Sequence, residues 1–510
     1  MKMIYGVKDR PKAGKLILFA LQQLLAILAA TITVPIAVNG ITATPGDFNY
    51  TASNLSISAA LVGAGLGTLV YLLFTKFRSP VFLGSSFAFI GSMAAAFAGG
   101  VSMSLGYLGL IIGALFAGLV YVIISVIVRF CGSKWIDKVM PAVVIGPTVA
   151  IIGLSLSSSA IGNLNQGAIA TCSPYVALVC GLITLAVTII CSVFGKKTMK
   201  MIPFIVGISA GYVAASIFTG IGYALGDTAV GNALKVIDFT KFASMEWLPA
   251  FTFVEVFKTP ITAPNGIGAH IGAIAVAYVP VAFVSFAEHL ADHKNISSII
   301  ETDLLKDPGL DRTLLGDGVG SLAGAIFGGA PNTTYGESVG CVAISGNASV
   351  VTIALAAVMA IVIAFVAPIM TLLSTIPPCV MGGVCIALYG FIAVSGLKMI
   401  QKTDLNDNRN LFTVSVILVA GVGGLALTFG KVTITNVACA LILGILVNLL
   451  VGIGRKQPAA AVQSEGGETS AQSAPEPSEA EQTPENASAD TLGEVAAASD
   501  ADNAEETQTT

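Results

Sequence analysis

Three acidic residues stand inside apolar stretches, where a charge is costly. Glu288 and Asp292 close the run IGAIAVAYVPVAFVSFAEHLAD, and Glu337 follows PNTTYG in a run of small residues. An ionised side chain at the centre of a membrane span costs about 2.5–3.5 kcal/mol on insertion scales, so each is a functional candidate. Glu288 and Asp292 are spaced i,i+4 and share one helix face. Such carboxylates can accept hydrogen bonds from ligand N–H groups. Two of them close together cannot both ionise cheaply, so one can hold a transferable proton. Asp292 has a second reading, at the water boundary beside Lys294. His289 adjoins Glu288 and points elsewhere, either as a hydrogen-bonded packing residue or as a functional one. His270 and His293 are expected at the interface, and Asp317 facing the cytoplasm where its span opens.

Two segments could present backbone groups to the same ligand. One reads Pro331-Asn332-Thr333-Thr334-Tyr335-Gly336-Glu337-Ser338, the other Gly84-Ser85-Ser86-Phe87-Ala88-Phe89. Proline and β-branched threonines disfavour helix, and glycine permits unusual backbone. Each segment is expected to be a short extended stretch running into a half-helix, tolerated at mid-depth only against protein or a cavity. Half-helix N-termini aim free N–H groups at that cavity. These donors suit carbonyl oxygens, and the glutamates suit N–H groups. A ring with alternating C=O and N–H on one edge, as a nucleobase has, satisfies both sets.

The elements that must position these residues are membrane spans. The 510 residues are 55% hydrophobic and 11% charged, against about 25% charged in soluble proteins. Spanning helices need roughly 20 mostly apolar residues. On that basis spans fall near 16–38, 54–75, 80–99, 107–128, 139–158, 174–194, 201–221, 268–290, 314–329, 331–345, 350–374, 378–396, 411–428 and 432–453, fourteen in all. The third, ninth and tenth are short or rich in glycine and small polar residues. Lysines and arginines gather in alternate loops, whereas the opposite loops 39–53, 100–106 and 159–173 have none. The positive-inside rule then puts both termini in the cytoplasm of a cell-membrane protein. The expected organisation is a cytoplasmic N-terminus 1–15, a first seven-span repeat 16–221, an extracellular connecting segment 222–267, a second repeat 268–453 and a tail 454–510. Residues 457–510 hold twelve Asp or Glu and no Lys or Arg, and a disordered acidic tail is expected there. The apolar run after the basic start is too long for a signal-peptide core and is taken as a retained first span.

Weak internal matches occur in the same order: LQQL with AEHL, Ser85-Ser86-Phe87-Ala88 with Thr333-Thr334-Tyr335-Gly336, and MPAVVIG with IPPCVMG. They pair spans one with eight, three with ten and five with twelve. Seven is odd, so the second copy must enter the membrane from the other side, giving inverted repeats with a site at their interface. The eight scattered cysteines form no CxxC pair and are expected to be packing residues. No nucleophile–base pair, metal-ligand cluster or phosphate loop stands out, so neither an enzyme nor a bound cofactor is expected.

The segments PVFLGSSFAFIGSM, AFVSFAEHLADHKNI, DLLKDPGLDRTLLGDGVGS, GGAPNTTYGESVG and IPPCVMGGVCIALYG closely resemble the nucleobase–cation symporter-2 (nucleobase–ascorbate transporter) family, in particular its bacterial uracil permeases. The resemblance covers about residues 5 to 453, and PNTTYGE is its most specific motif. It implies an all-α fold of fourteen spans in two inverted repeats, with spans one to four and eight to eleven as a core and the rest as a gate. It implies import of uracil with protons. The alternatives are a purine permease for xanthine or hypoxanthine and an anion transporter of the same architecture. Partners would be uracil, protons and the lipid bilayer, with no nucleic acid; a homodimer is an admitted assembly. By motif, Glu288 and Glu337 resemble the carboxylates that bind the base, and Phe87, Tyr335 and Gly336 the positions that line it. Proton coupling falls to Glu288 and Asp292. The chain departs from the bacterial uracil–proton symporter at Asp292, where that protein has histidine, and at Gln22-Gln23, where it has Gln-His. Gly346 stands where many relatives have a basic residue.

Overall fold

The computed structural model describes residues 3–43, 48–196, 199–401, 403–429 and 432–452. The expected acidic tail lies outside the described residues. Helices or strand–helix pairs fall within every segment expected to span. In chain order these helices are α1 Ala13–Ala43, α2 Ile57–Phe74, α3 Ile90–Ala95, α4 Met103–Cys131, α5 Ala142–Ser155, α6 Pro174–Phe194 and α7 Pro203–Ala224. They continue with α8 Ile267–Ile300, α9 Leu310–Gly328, α10 Gly336–Ser345, α11 Val350–Ala364, α12 Pro378–Ile400, α13 Asn408–Val422 and α14 Asn436–Gly452. Among the described residues eight helices are long and apolar enough to cross a membrane, α5 counting as one of them together with the turn-linked helix that continues it to Leu164. The number is nine if α11 and Ala367–Ser374, bent by 85° at their junction, count as one span. The other expected spans fall short for local reasons. α3 has six residues and α10 ten, because extended backbone takes up the rest of each segment. α9 carries Asp311, Arg312 and Asp317 within its first turns.

The extended pieces are strands β1 Leu83–Ser85 and β2 Asn332–Thr334, which precede α3 and α10. They pair antiparallel with Leu83 opposite Thr334, Gly84 opposite Thr333 and Ser85 opposite Asn332. All six residues are buried. The pairing satisfies backbone groups that lipid could not. Tyr335 lies across the crossing, its hydroxyl donating to Ser85 O at 2.9 Å. Gly84 has no alternative there, since an added Cβ would overlap the Tyr335 ring. A second antiparallel pair joins β3 Leu427–Phe429 to β4 Val432–Ile434 between α13 and α14.

Helix packing falls into two sets. α2 and α4 lie against α9, α11 against α1 and α2, and α8 against α4. Separately, α12 packs on α5 and α6, α6 on α7, and α13 on α14 and α5. The first set holds both strands and both half-helices.

Candidate functional site

The site is built where the strand crossing meets α8. α8 brings Glu288 and Asp292 to one face, because residues four apart lie one turn above each other. β2 turns at Tyr335, extended at φ −101° and ψ 120°, into α10. Gly336 and Glu337 therefore occupy its first turn, where backbone N–H groups have no acceptor within the helix. Phe87 comes from the stretch between β1 and α3. All six sequence-expected residues, Glu288, Asp292, Phe87, Tyr335, Gly336 and Glu337, line one cavity of about 490 Å³. That volume lies in the range of about 300–1,000 Å³ usual for small-molecule sites.

The polar groups differ in how they are held. Asp292 Oδ2 accepts from Thr334 Oγ1 at 2.7 Å, so the strand crossing itself fixes the carboxylate. Asp292 is partly exposed, and this bond ties it to β2 as well as to its own helix. Glu288 Oε2 is buried and has no hydrogen-bond partner among the described residues. A buried acceptor without a donor is costly, and a ligand N–H would relieve it. Phe87 is 5% exposed and meets the Tyr389 ring edge-on at 5.7 Å, which joins the strand crossing to α12. Tyr335 faces the cavity, yet its hydroxyl is already engaged by Ser85 O.

Several lining residues were not expected from sequence. Lys200 and Lys398 are among the lining residues, and Phe204 and Phe391 meet edge-to-face at 5.8 Å in the cavity wall. Ser338 escaped notice although it ties the site together. Gln23 of α1 donates to its hydroxyl through Nε2, and the Phe82 N–H donates to the same oxygen at 3.1 Å. The one available signal was Gln23 itself, an amide inside an apolar run.

The histidines occupy the other side of α8, and two expectations are corrected here. His293 is fully buried rather than interfacial, and Asp317 is 1% exposed rather than facing water. His289 Nδ1 lies 2.7 Å from Asp317 Oδ2, and its Nε2 lies 3.1 Å from Thr313 Oγ1. Thr313 gives its own proton to Leu310 O at 3.1 Å. With Thr313 donating to Leu310 O, its oxygen can accept from His289 Nε2–H, an arrangement that leaves one proton between Nδ1 and Asp317. Asp317 Oδ1 has no hydrogen-bond partner among the described residues. His293 donates from Nδ1 to His289 O at 2.8 Å and meets Tyr71 OH through Nε2 at 2.7 Å. The two imidazoles stack at 4.0 Å, so at most one of them holds a charge cheaply. His270 is 8% exposed and borders a second cavity, of about 910 Å³, at the opposite end of α8. Of the α8 residues lining that cavity, Ala277 is nearest in sequence to Glu288, eleven residues away, or about 16 Å along the helix.

The family model Xan_ur_permease, described as Permease family, matches residues 14–429. The uracil permease of Bacillus caldolyticus is 39% identical over 463 residues, covering 90% of this chain and 96% of the relative. That of Bacillus subtilis (strain 168) is 37% identical, covering 90% and 97%, and that of Escherichia coli (strain K12) 32%, covering 87% and 93%. Among solved structures, the transmembrane domain of the cyanobacterium bicarbonate transporter BicA aligns with TM-score 0.52 at 15% identity, covering 85% of this chain and 97% of that one. The murine Slc26a9 anion transporter in the inward-facing state aligns with TM-score 0.55 at 12% identity, covering 88% and 69%. At such identities the likeness concerns the fold.

Proposed function

The chain belongs to the Permease family matched over residues 14–429, and from that premise we propose that it imports uracil across the cell membrane by proton symport. It is a multi-pass membrane transporter and not an enzyme. The similarity to uracil permeases along most of their length supports the substrate. The observation that carries the reading is the convergence of α8, α10 and the strand crossing on one cavity. There Glu288 presents an unpartnered acceptor and the start of α10 presents N–H donors. A uracil edge offers N–H to the first and C=O to the second. The fold is shared with anion transporters, but fold does not fix function. Three carboxyl side chains lining the cavity disfavour an anion, because desolvated like charges repel.

We read the chain as fourteen spans in two inverted seven-span repeats, 16–221 and 268–453, with both termini cytoplasmic. The strand–half-helix unit seen twice, β1 with α3 and β2 with α10, supports this. The two packing sets fit a core of α1–α4 and α8–α11 and a gate of α5–α7 and α12–α14. Lys200 lies in the link between α6 and α7 and Lys398 in the last turn of α12, ends that the positive-inside rule puts inside, so we read the cavity as opening to the cytoplasm in this state. Alternating access then consists of the gate moving against a core that keeps the base on Glu288 and Glu337. Asp292, held by Thr334, carries the coupled proton with Glu288.

Uptake of labelled uracil into vesicles under an imposed pH gradient tests this. Uracil should be preferred over xanthine and hypoxanthine, and uridine should not compete, since its ribose has no place in a closed site. Equal or better competition by xanthine would transfer the reading to purines, and uptake indifferent to the gradient would remove the proton.

A further inference from the structure

α10 has only ten residues, too few to be stable alone, so both its ends must be held from outside. Its cavity face is Glu337, Gly340, Cys341 and Ile344. The strand crossing and the Gln23–Ser338 bond hold its first turn. Its last turn ends at Gly346, which is left-handed with φ +69° and donates back to Val342 O at 3.0 Å. The holding there is done by the chain's own N-terminal residues, which no part of the transport reading uses.

Those residues run parallel to the link between α10 and α11. Gly346 O accepts from Ile4 N at 2.7 Å and from Tyr5 N at 3.2 Å. Ala348 N donates to Tyr5 O at 2.9 Å, and Val350 N to Val7 O at 3.1 Å. Ser349 Oγ donates to Asp9 O at 2.6 Å. Ile4 Cγ1 lies 3.2 Å from where a Cβ on Gly346 would stand, so the bare glycine is what lets the two segments close. Tyr5 meets Phe19 of α1 edge-on at 6.0 Å, and Met3 and Val7 pack against the apolar core. The link is stiff in its own right, with Asn347 Oδ1 accepting from Ser349 N at 3.1 Å and Asn347 Nδ2 donating to Thr352 Oγ1 at 3.0 Å. α1 is thus fastened to α10 twice, by Gln23 in its first turn and by the strap at its far end.

We propose that Ile4–Asp9 is a positioning strap: it fixes the far end of α10 and, through that helix, the place of Glu337 in the cavity. It moves with the strands and half-helices as one body and does not open during transport. The inference rests on the uracil reading. The test is a double-mutant cycle on uracil Kd by equilibrium dialysis with the purified full chain, with and without residues 3–9, in the parent and in Glu337→Gln. Deletion should weaken binding by about tenfold in the parent, comparable to losing one buried hydrogen bond, and leave Glu337→Gln nearly unchanged. Equal weakening in both backgrounds would mean general destabilisation and overturn the proposal, as would a silent deletion. Should the deletion not fold, Ile4→Pro removes one donor to Gly346 O and enters the same cycle. A Tyr5→Cys/Asn347→Cys pair, neighbours in the parallel bridge, should take up uracil equally well when oxidised with copper–phenanthroline and when reduced. Uptake lost on oxidation and regained on reduction would show that the strap must release, and would overturn it. No uracil binding by the parent chain would instead remove the transport reading and the strap with it.

Discussion

Along α8, Glu288 and Asp292 look into the cavity, while His289 and His293, each one residue further on, look into the packed interior between α2, α4 and α9. A step of one residue turns the helix by about 100°, so two adjacent pairs of titratable side chains serve two environments. On the inner face both nitrogens of each imidazole have partners, and the pair pins α8 to its neighbours. On the outer face Glu288 keeps an oxygen with no partner. The contrast at this level of α8 is between imidazoles that are fully partnered and a carboxyl group that is not, and the unpartnered oxygen belongs to a residue lining the cavity. Asp317 Oδ1 is the exception on the inner side.

The largest expected effect tests the inner face. His289→Ala strands the buried Asp317 and Thr313 without their imidazole partner. Breaking a buried pair by removing one member costs about 3–5 kcal/mol. Thermal unfolding of the solubilised protein should drop accordingly. Glu288→Gln should unfold at or above the parent temperature, because a neutral amide replaces a buried carboxyl group that is costly to ionise there, yet should lose uracil binding. If both substitutions destabilise equally, the two faces do not differ in kind.

Glu337→Gln is next. It preserves shape but turns an amide NH₂ toward a ligand N–H. A mispaired buried group costs about 1–3 kcal/mol, roughly 5- to 150-fold in affinity. Equilibrium binding to the purified variant measures this, and near-parental affinity would take Glu337 out of the site.

Asp292→Asn should change binding less, because Asn can still accept from Thr334 Oγ1. It cannot titrate, so gradient-driven accumulation should fall while counterflow exchange persists. Full accumulation by the variant would leave Glu288 as the proton carrier.

How much of this the sequence revealed depends on the kind of pattern involved. Acids inside apolar runs, and the proline, threonine and glycine cluster before Glu337, are local signals, and they led to residues that line one cavity. The long apolar helices were legible from apolar length alone. Partnerships across the chain were not. Asp317 lies 28 residues from His289, and nothing in either stretch states that α8 and α9 face each other there. His293 sits among residues that look interfacial because Lys294 and Asn295 follow it, but the helix turns it inward. The bond from Ser349 to Asp9 spans 340 residues between segments too short to show periodicity. Periodicity tells how an element is turned, not what it is turned toward.

The smallest effect concerns Tyr335, which does not fit the comparison neatly. It lines the cavity, yet its hydroxyl is bound to Ser85 O and its ring lies against Gly84. It has the position of a site residue and the bonding of a scaffold residue. Tyr335→Phe keeps the ring and removes only the bond across the strand crossing, a net loss of about 0.5–1.5 kcal/mol. If the hydroxyl serves the scaffold, the loss appears as a lower unfolding temperature. Uracil and ring-substituted analogues such as 5-fluorouracil should then shift in affinity together, with their ratio preserved. If instead the hydroxyl leaves Ser85 to meet the base, the variant should change the ratio between analogues that differ at the contacted edge, with stability nearly unaltered. Measuring both quantities on one preparation decides between these outcomes. The first would extend the rule that satisfied groups hold and unsatisfied groups bind to a residue inside the cavity itself. The second would confine that rule to α8.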